Sequence, residues 1–589
     1  MARSVVTLWR PRWKGEGWKT AAVLVAWLVL VAYYLPILVQ HVVRSTDHFT
    51  FGDDVRILVW PYLSPGDTAL FKGDFFARYY QAGLPELYRI MMQVAARLNA
   101  VEFITKTIPY LSLLGVVWLI ADMARRAAGH AAAWLAAALV LGSAVFLDRA
   151  GGGLPRAFAF PLTAAGLHAL LRGRARLLAW LTVAAMGFYP VVAAILGLSL
   201  FGLLLLPARA RGDTANSSLK KRATLLVVAA AASTLMALPV QLRLRPYGDP
   251  ITPARIAAYP EAGPGGRLDP TSRPPFDWFP VGALKMADET LVGVGDPVLG
   301  SWGEWLRSEP ARRSWFTGLL FAAALCWWMN LARRRADHLR LLVFLVAVGI
   351  GNTLARTISP YLFLPERYLR YGMPPLVIVI VAAAAVGWIS PIYRKFSRIE
   401  RYGALGWVGP FSLVLLLGAR GTCYTGMDVA VPPEEQPMYR YLGSLPRAAV
   451  IAGWPIGPLE NVPYLSHRRV LTNFQLEIPF HVRFTNEIRR RLAALWKAYF
   501  AVDPGPIEHL RRDFGVTHLV MSPPGESLTY YLPHVANIWS ARARLAGKVS
   551  LLSLLARDPE RCRVFGAYRV VDIRGPLRAR SLSQGRPVP

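Results

Sequence analysis

The run LLAWLTVAAMGFYPVVAAILGLSLFGLLLL, Leu177–Leu206, decides how the whole chain folds. A helix needs about 20 apolar residues to cross a bilayer, so the run is either one generous span or two short ones. The dipeptide Tyr189-Pro190 selects two. Proline removes a backbone donor, and its ring disfavours helix at the residue before it. Helices are therefore expected over Leu177–Phe188 and Val191–Leu206, with a turn at Tyr189-Pro190.

Apolar runs recur on either side of this pair. They are Ala21–Val43, Thr107–Ala121, Ala131–Leu147, Ala157–Leu171, Ala223–Val240, Ser314–Ala332, Leu341–Ala355, Met373–Ile389 and Ala404–Leu417. With 54% hydrophobic and 17% charged residues, the composition is that of a polytopic α-helical membrane protein of about 11 transmembrane helices. The first run, from Thr20, is long and lacks a small-residue cleavage site, so it reads as an anchor.

Charge tests the count. Arg10/Arg12/Lys14, Arg125/Arg126, Arg172/Arg174/Arg176, Arg209/Arg211/Lys220/Lys221/Arg222, Arg333–Arg335 and Arg394/Lys395/Arg398 fall on one side only if Leu177–Leu206 crosses twice. That side is the cytoplasm by the positive-inside rule. Arg312 and Arg313 fall against it. Residues 1–20 are then a cytoplasmic amino terminus and 21–417 the membrane domain. Loops 44–106, 148–156, 241–313 and 356–372 are external, as is a soluble α/β tail, 418–589.

The net charge of +31 lies in these clusters. No basic stripe interleaved with aromatics forms a nucleic-acid footprint, so no nucleic-acid partner is expected. Cys326, Cys423 and Cys562 have no zinc-ligand spacing. Cys423 and Cys562 are both placed outside, where a bridge between them is open.

In ELYRIMMQVAARLNA, Glu86–Ala100, one helical face carries Leu87, Ile90, Met91, Val94 and Leu98. Such a helix either lies on the outer membrane surface or packs on its own loop. In the tail, AAVIAGWP, THLVMS and YRVVDI read as strands and FTNEIRRRLAALWKAYF as an amphipathic helix.

Three external stretches carry candidate chemistry. HFTFGDDVRILVWPYLSP, His48–Pro65, sets Asp53 beside Asp54, and adjacent carboxylates favour a cation, a basic partner or one raised pKa. FLDRAGGGLPRAFAFPL, Phe146–Leu162, carries Asp148, Arg149, three glycines and Arg156. Glycine permits close backbone approach and arginine grips phosphate bidentately. PYLFLPERYLRYGMPP, Pro360–Pro375, places Arg367 and Arg370 on one helical side among tyrosines suited to a membrane interface. Each also has a plain reading, as loop acids, a flexible turn and lipid-facing arginines. Glu304 and His48 are lesser candidates; Glu477 and His481 are separated by Pro479 and do not read as a metal site, and Trp454 reads as core.

Together, these parts in this order resemble the GT-C superfamily of integral-membrane glycosyltransferases, which includes oligosaccharyltransferases, protein mannosyltransferases and lipid A aminoarabinose transferases. Asp53-Asp54 on the first external loop, Asp148 on the second, the amphipathic helix and the external tail carry the resemblance over roughly Ala21–Leu417. GLPRAFAFPL, ERYLRY and VLTNFQLEIPFH are similar to stretches of bacterial members. The tail lacks the WWD-type motif of the oligosaccharyltransferases.

The resemblance implies transfer of a sugar from a polyprenyl-phosphate donor to a glycan, lipid or protein acceptor, at the outer face of a bacterial plasma membrane. Asp54, Asp53 and Asp148 would be catalytic, or would hold a divalent cation such as Mg or Mn if the reaction needs one. Arg367, Arg370, Arg156 and Arg149 would receive the lipid phosphate. Two rivals stand beside this: a transporter or lipid flippase, and a non-enzymatic scaffold displaying the tail. A transporter should show broken helices in both halves, whereas only Tyr189-Pro190 is broken.

Overall fold

The computed structural model describes residues 39, 43, 46–63, 71, 73–207, 219–263, 266–267, 283–287, 290–291, 321–326, 336–358, 364–396, 429–521, 535–545 and 547–577. Apart from isolated positions, the expected spans Ala21–Val43 and Ala404–Leu417 lie outside these residues, as do Glu304 and Cys423. Cys562 is a buried free thiol.

The region before the bundle is built from β1 (Thr50–Phe51), α1 (Val55–Leu58), α2 (Phe75–Gly83) and α3 (Glu86–Arg97). Asp74 caps α2, its Oδ1 accepting from the Ala77 amide at 2.8 Å. A bundle follows: α4 (Val101–Ala128), α5 (His130–Gly142), α6 (Ala144–Ala150), α7 (Ala159–Leu171), α8 (Ala175–Phe188), α9 (Pro190–Leu205), α10 (Leu219–Leu244), α11 (Ala336–Ile358) and α12 (Glu366–Phe396). Four of its helices are long and apolar enough to cross a membrane, at Val101–Ala128, Lys220–Tyr247, Asp337–Thr357 and Glu366–Trp388. The last is mostly buried inside the protein.

The break at Tyr189-Pro190 is present. Tyr189 is extended, with φ −152° and ψ 94°, and α9 starts on Pro190 at its first helical position, where a missing N–H costs nothing. The two helices pack against each other as a hairpin. One consequence is that the two kinds of connection separate. Asp54, Gly152, Arg156, Tyr189 and Arg367 gather at one end of the bundle. At the other end, Asp122 holds Arg125 (2.7 Å), Arg126 (3.0 Å), His168 (2.9 Å) and Arg172 (2.8 Å).

Two expected segments differ. Ala131–Leu147 is two helices, because Ser143 is extended between α5 and α6. The loop expected over 356–372 is shorter, since α11 runs to Ile358 and α12 begins at Glu366.

The tail contains β2 (Val429–Ala430), α13 (Gln436–Ser444), β3 (Val450–Gly453), α14 (Val462–Leu465), β4 (Arg469–Val470), α15 (Val482–Tyr499), α16 (Gly505–Phe514), β5 (Val516–Met521), α17 (Val535–Ala543), α18 (Leu551–Leu555), β6 (Cys562–Phe565) and β7 (Tyr568–Asp572). Its sheet has the order β4-β3-β5-β7-β6, with β4, β3 and β5 parallel and β7 antiparallel to both neighbours. The tail is not a separate bead. Strand β2 pairs antiparallel with β1, and one apolar core joins Phe51, Trp60, Tyr88 and Leu154 to Tyr439, Tyr464, Phe484 and Trp496. Trp454 belongs to that core.

Helix α3 has two apolar faces. Tyr88, Met92 and Ala95 are buried, while Ile90, Val94 and Leu98 form an exposed stripe. Leu87 leaves the stripe to pack against Gly187 of α8.

Candidate active site

The β1–α1 segment brings the acid pair to the seam between bundle and tail, and the two carboxylates part there. Asp53 faces the tail: its Oδ1 pairs with Arg56 and accepts from the Gln475 side-chain amide at 3.3 Å. Asp54 faces the bundle, its Oδ2 in a salt bridge with Arg156. Both remain open to approach, with side chains 41% and 33% exposed. Neither caps α1, although Asp54 occupies its N-cap position.

Arg156 lies in the single turn Pro155–Phe158 that leads into α7. The glycines before it set its place. Gly152 and Gly153 have φ of +72° and +59°, a region other residues rarely enter. A Cβ on Gly152 would lie 2.5 Å from Val55 Cγ2, and one on Gly153 would lie 2.6 Å from the Thr105 Cα and carbonyl oxygen. The close approach expected of these glycines is therefore to the chain's own Val55 and Thr105. Tyr88 locks the turn by donating to the Gly153 carbonyl at 3.1 Å.

Arg367 opens α12, half-buried, within electrostatic reach of the Tyr189 and Tyr371 hydroxyls and of Asp54. Tyr189 is delivered by the α8–α9 turn, and its ring stands edge-on to Tyr371 at 5.1 Å. The Arg156 Nε and the Arg370 Nε are buried without a hydrogen-bond partner among the described residues. Desolvated polar atoms of this kind cost free energy unless something arrives to pair with them. Arg370 follows Arg367 by three positions on α12; Arg149 lies in the last turn of α6, half-buried. The Asp148 backbone lies in α6, and its side chain is outside the described part.

Sequence reasoning missed a group of residues here. Arg56, 8% exposed, donates from Nη1 to Glu460 at 3.3 Å and to Asn461 at 3.0 Å. Gln475 in turn accepts from Arg267 at 3.1 Å, and the Arg267 guanidinium lies 4.0 Å over the Phe474 ring. Burial raises the Glu460 carboxyl above the ordinary glutamate range, with Arg56 opposing. Arg56 lies within the acid-pair stretch and Gln475 within VLTNFQLEIPFH, but pairing across the chain has no local signal.

Other candidates go elsewhere. His48 Nδ1 lies 3.4 Å from Glu102 and stacks on Tyr464. His481 shares a 2.8 Å hydrogen bond with the Tyr79 hydroxyl, and Glu477 accepts from Thr472 at 2.6 Å. Among the described residues, no group of three or more His, Cys, Asp or Glu side chains converges as a metal site. Asp53 and Asp54 turn apart, each onto its own arginine, so this donor pair does not fit a divalent cation as it stands.

Neither a protein-family model nor a curated protein sequence matches the chain. Solved structures do. The Archaeoglobus fulgidus oligosaccharyltransferase, in its apo form, aligns over 90% of this chain and 73% of its own, with TM-score 0.51 and 13% identity. ArnT from Cupriavidus metallidurans, solved bound to undecaprenyl phosphate, aligns over 96% of this chain and 99% of its own, with TM-score 0.50 and 15% identity. The fold of the chain is that of the GT-C integral-membrane glycosyltransferases.

Proposed function

We propose that the protein is a membrane glycosyltransferase that moves a sugar from a polyprenyl-phosphate donor to an acceptor at the outer membrane face. The observation that carries this is the juxtaposition of Asp54 with Arg156 and Arg367, from three separate parts of the chain, at one end of the bundle. The likeness to an oligosaccharyltransferase and to an ArnT bound to undecaprenyl phosphate supports it.

Transfer needs a base for the acceptor proton and positive charge for the departing phosphate. Asp54 is assigned the base. Arg367 and Arg156 are assigned the phosphate, with Arg370 behind them, because guanidinium presents paired donors to phosphate oxygens. In the resting arrangement Arg156 occupies Asp54; an incoming phosphate would compete for Arg156 and release the carboxylate toward the acceptor. Asp53, fastened to the tail, is assigned no proton. No step is routed through a cation.

The test follows loss of lipid-linked sugar in membranes containing each variant. Asp54→Asn should fold normally and lose about 10²–10⁴ in rate, the usual cost of a general base. Turnover of Asp54→Asn at the native rate would remove the chemical basis of the assignment.

A further inference from the structure

We propose that Glu460 and Gln475 of the tail are positioning residues that aim Asp54 at the bundle by holding Arg56 and Asp53. This rests on the reading of Asp54 as the base. Helix α1, which begins at the acid pair, is four residues long and has no side-chain cap. A helix that short does not hold its own shape in water, so its orientation comes from outside.

The outside is the tail. The Val431 amide donates to the Phe49 carbonyl at 3.0 Å, extending the β1–β2 pairing just before the acids. Arg56 is then shared between Asp53 on its own segment and Glu460 and Asn461 on the tail. Those tail partners are themselves fixed. Asn461 donates to the Tyr439 hydroxyl at 3.2 Å, and that hydroxyl donates to the Pro458 carbonyl at 3.1 Å. Gln475 reaches Asp53 from a turn whose start is capped by Asn473, whose Oδ1 accepts from the Leu476 amide at 3.0 Å.

Arg56 and Glu460 are 8% and 7% exposed, so each charge depends on the other. Successive residues at a helix start cannot point the same way. With Asp53 tied to the tail, Asp54 is left facing Arg156 and Arg367. The tail on this account is part of the catalytic scaffold.

The test uses the full chain in nanodiscs and hydrogen exchange of the Ile57, Leu58 and Val59 amides, which bond back to Asp54 and Val55. Glu460→Gln and Gln475→Ala should each speed that exchange by about tenfold or more, the factor expected for loss of a charged hydrogen bond. Exchange in α4 and β5 should stay as in the native chain, and Glu460→Asp should restore most of the protection. Consumption of lipid-linked sugar should fall in step, while the Kd for undecaprenyl phosphate changes by less than about threefold. Unchanged exchange at Ile57–Val59, or acceleration spread equally over α4 and β5, would overturn the proposal. Because exchange needs no substrate, a native chain that binds no undecaprenyl phosphate and consumes no donor would overturn the glycosyltransferase reading separately.

Discussion

Replacing Gly153 with Ala tests the geometry that places Arg156. The added Cβ would meet the Thr105 Cα and carbonyl oxygen at 2.6 Å, and backbone of α4 cannot swing aside as a side chain can. The residue also sits at φ +59°, which costs a non-glycine residue about 1–2 kcal/mol. Overpacking adds about 1–3 kcal/mol, so the variant should lose about 2–5 kcal/mol. Gly152→Ala pays the same backbone cost at φ +72°, but its clash at 2.5 Å is with the Val55 side chain, which can rotate. About 1–3 kcal/mol is expected there, with turnover falling further because Val55 follows Asp54. Gly115, inside α4 with nothing within 4 Å of its would-be Cβ, serves as control and should gain about 0.5–1 kcal/mol as Ala. Unfolding temperatures in one detergent at one scan rate give the ranking. Gly153→Ala unfolding with the native chain, or above it as Gly115→Ala should, would refute the packing of the turn on α4.

Three further outcomes follow. Arg367→Ala should weaken undecaprenyl phosphate binding by roughly 10–100-fold, the worth of a charged hydrogen bond, with Lys restoring only part; unchanged binding would make Arg367 a lipid-facing anchor. Asp74 is buried at its cap, and burial raises its carboxyl pKa. A carboxyl raised on folding contributes stability below its unfolded pKa and loses it as pH rises through the folded one. Asp74→Asn keeps the cap, so its stability relative to the native chain should improve as pH rises above the ordinary carboxylate range, about 4, and a decline there would reverse the sign. Cysteine placed at exposed Arg512 should react with an impermeant reagent from outside and cysteine at Arg174 should not; the opposite pattern would invert the assigned topology.

Much of the bundle was legible because periodicity and proline act locally. Tyr189-Pro190 breaks the helix where backbone sterics say it should, and that one break sorts Arg156 and Arg172 to opposite ends. The tail's strands and the α15 helix were equally local. Less visible was anything fixed across domains. Alternation along the chain says only that one acid of the pair need face the bundle; the structure separates them through Arg56, beside Asp53 in the chain, and through Glu460 and Gln475, each more than 400 positions from the residue it holds. The glycines were read as permitting close backbone approach, but what they approach was not legible, because sequence shows a position's freedom and not its neighbour. Helix α3 was assigned one apolar face, whereas Tyr88 and Met92, buried under the tail-linked core, form a second. The start of α12 was placed late because charged Glu366 and Arg367 interrupt the apolar run, although both are helical.

The most direct measurement is a cryo-electron microscopy map of the chain in nanodiscs with undecaprenyl phosphate. The account predicts phosphate density against the Arg367 guanidinium and Arg156, with the Asp54 salt bridge to Arg156 opened and Asp53 still on Gln475. Phosphate bound elsewhere, with Asp54 and Arg156 paired as in the free protein, would contradict it.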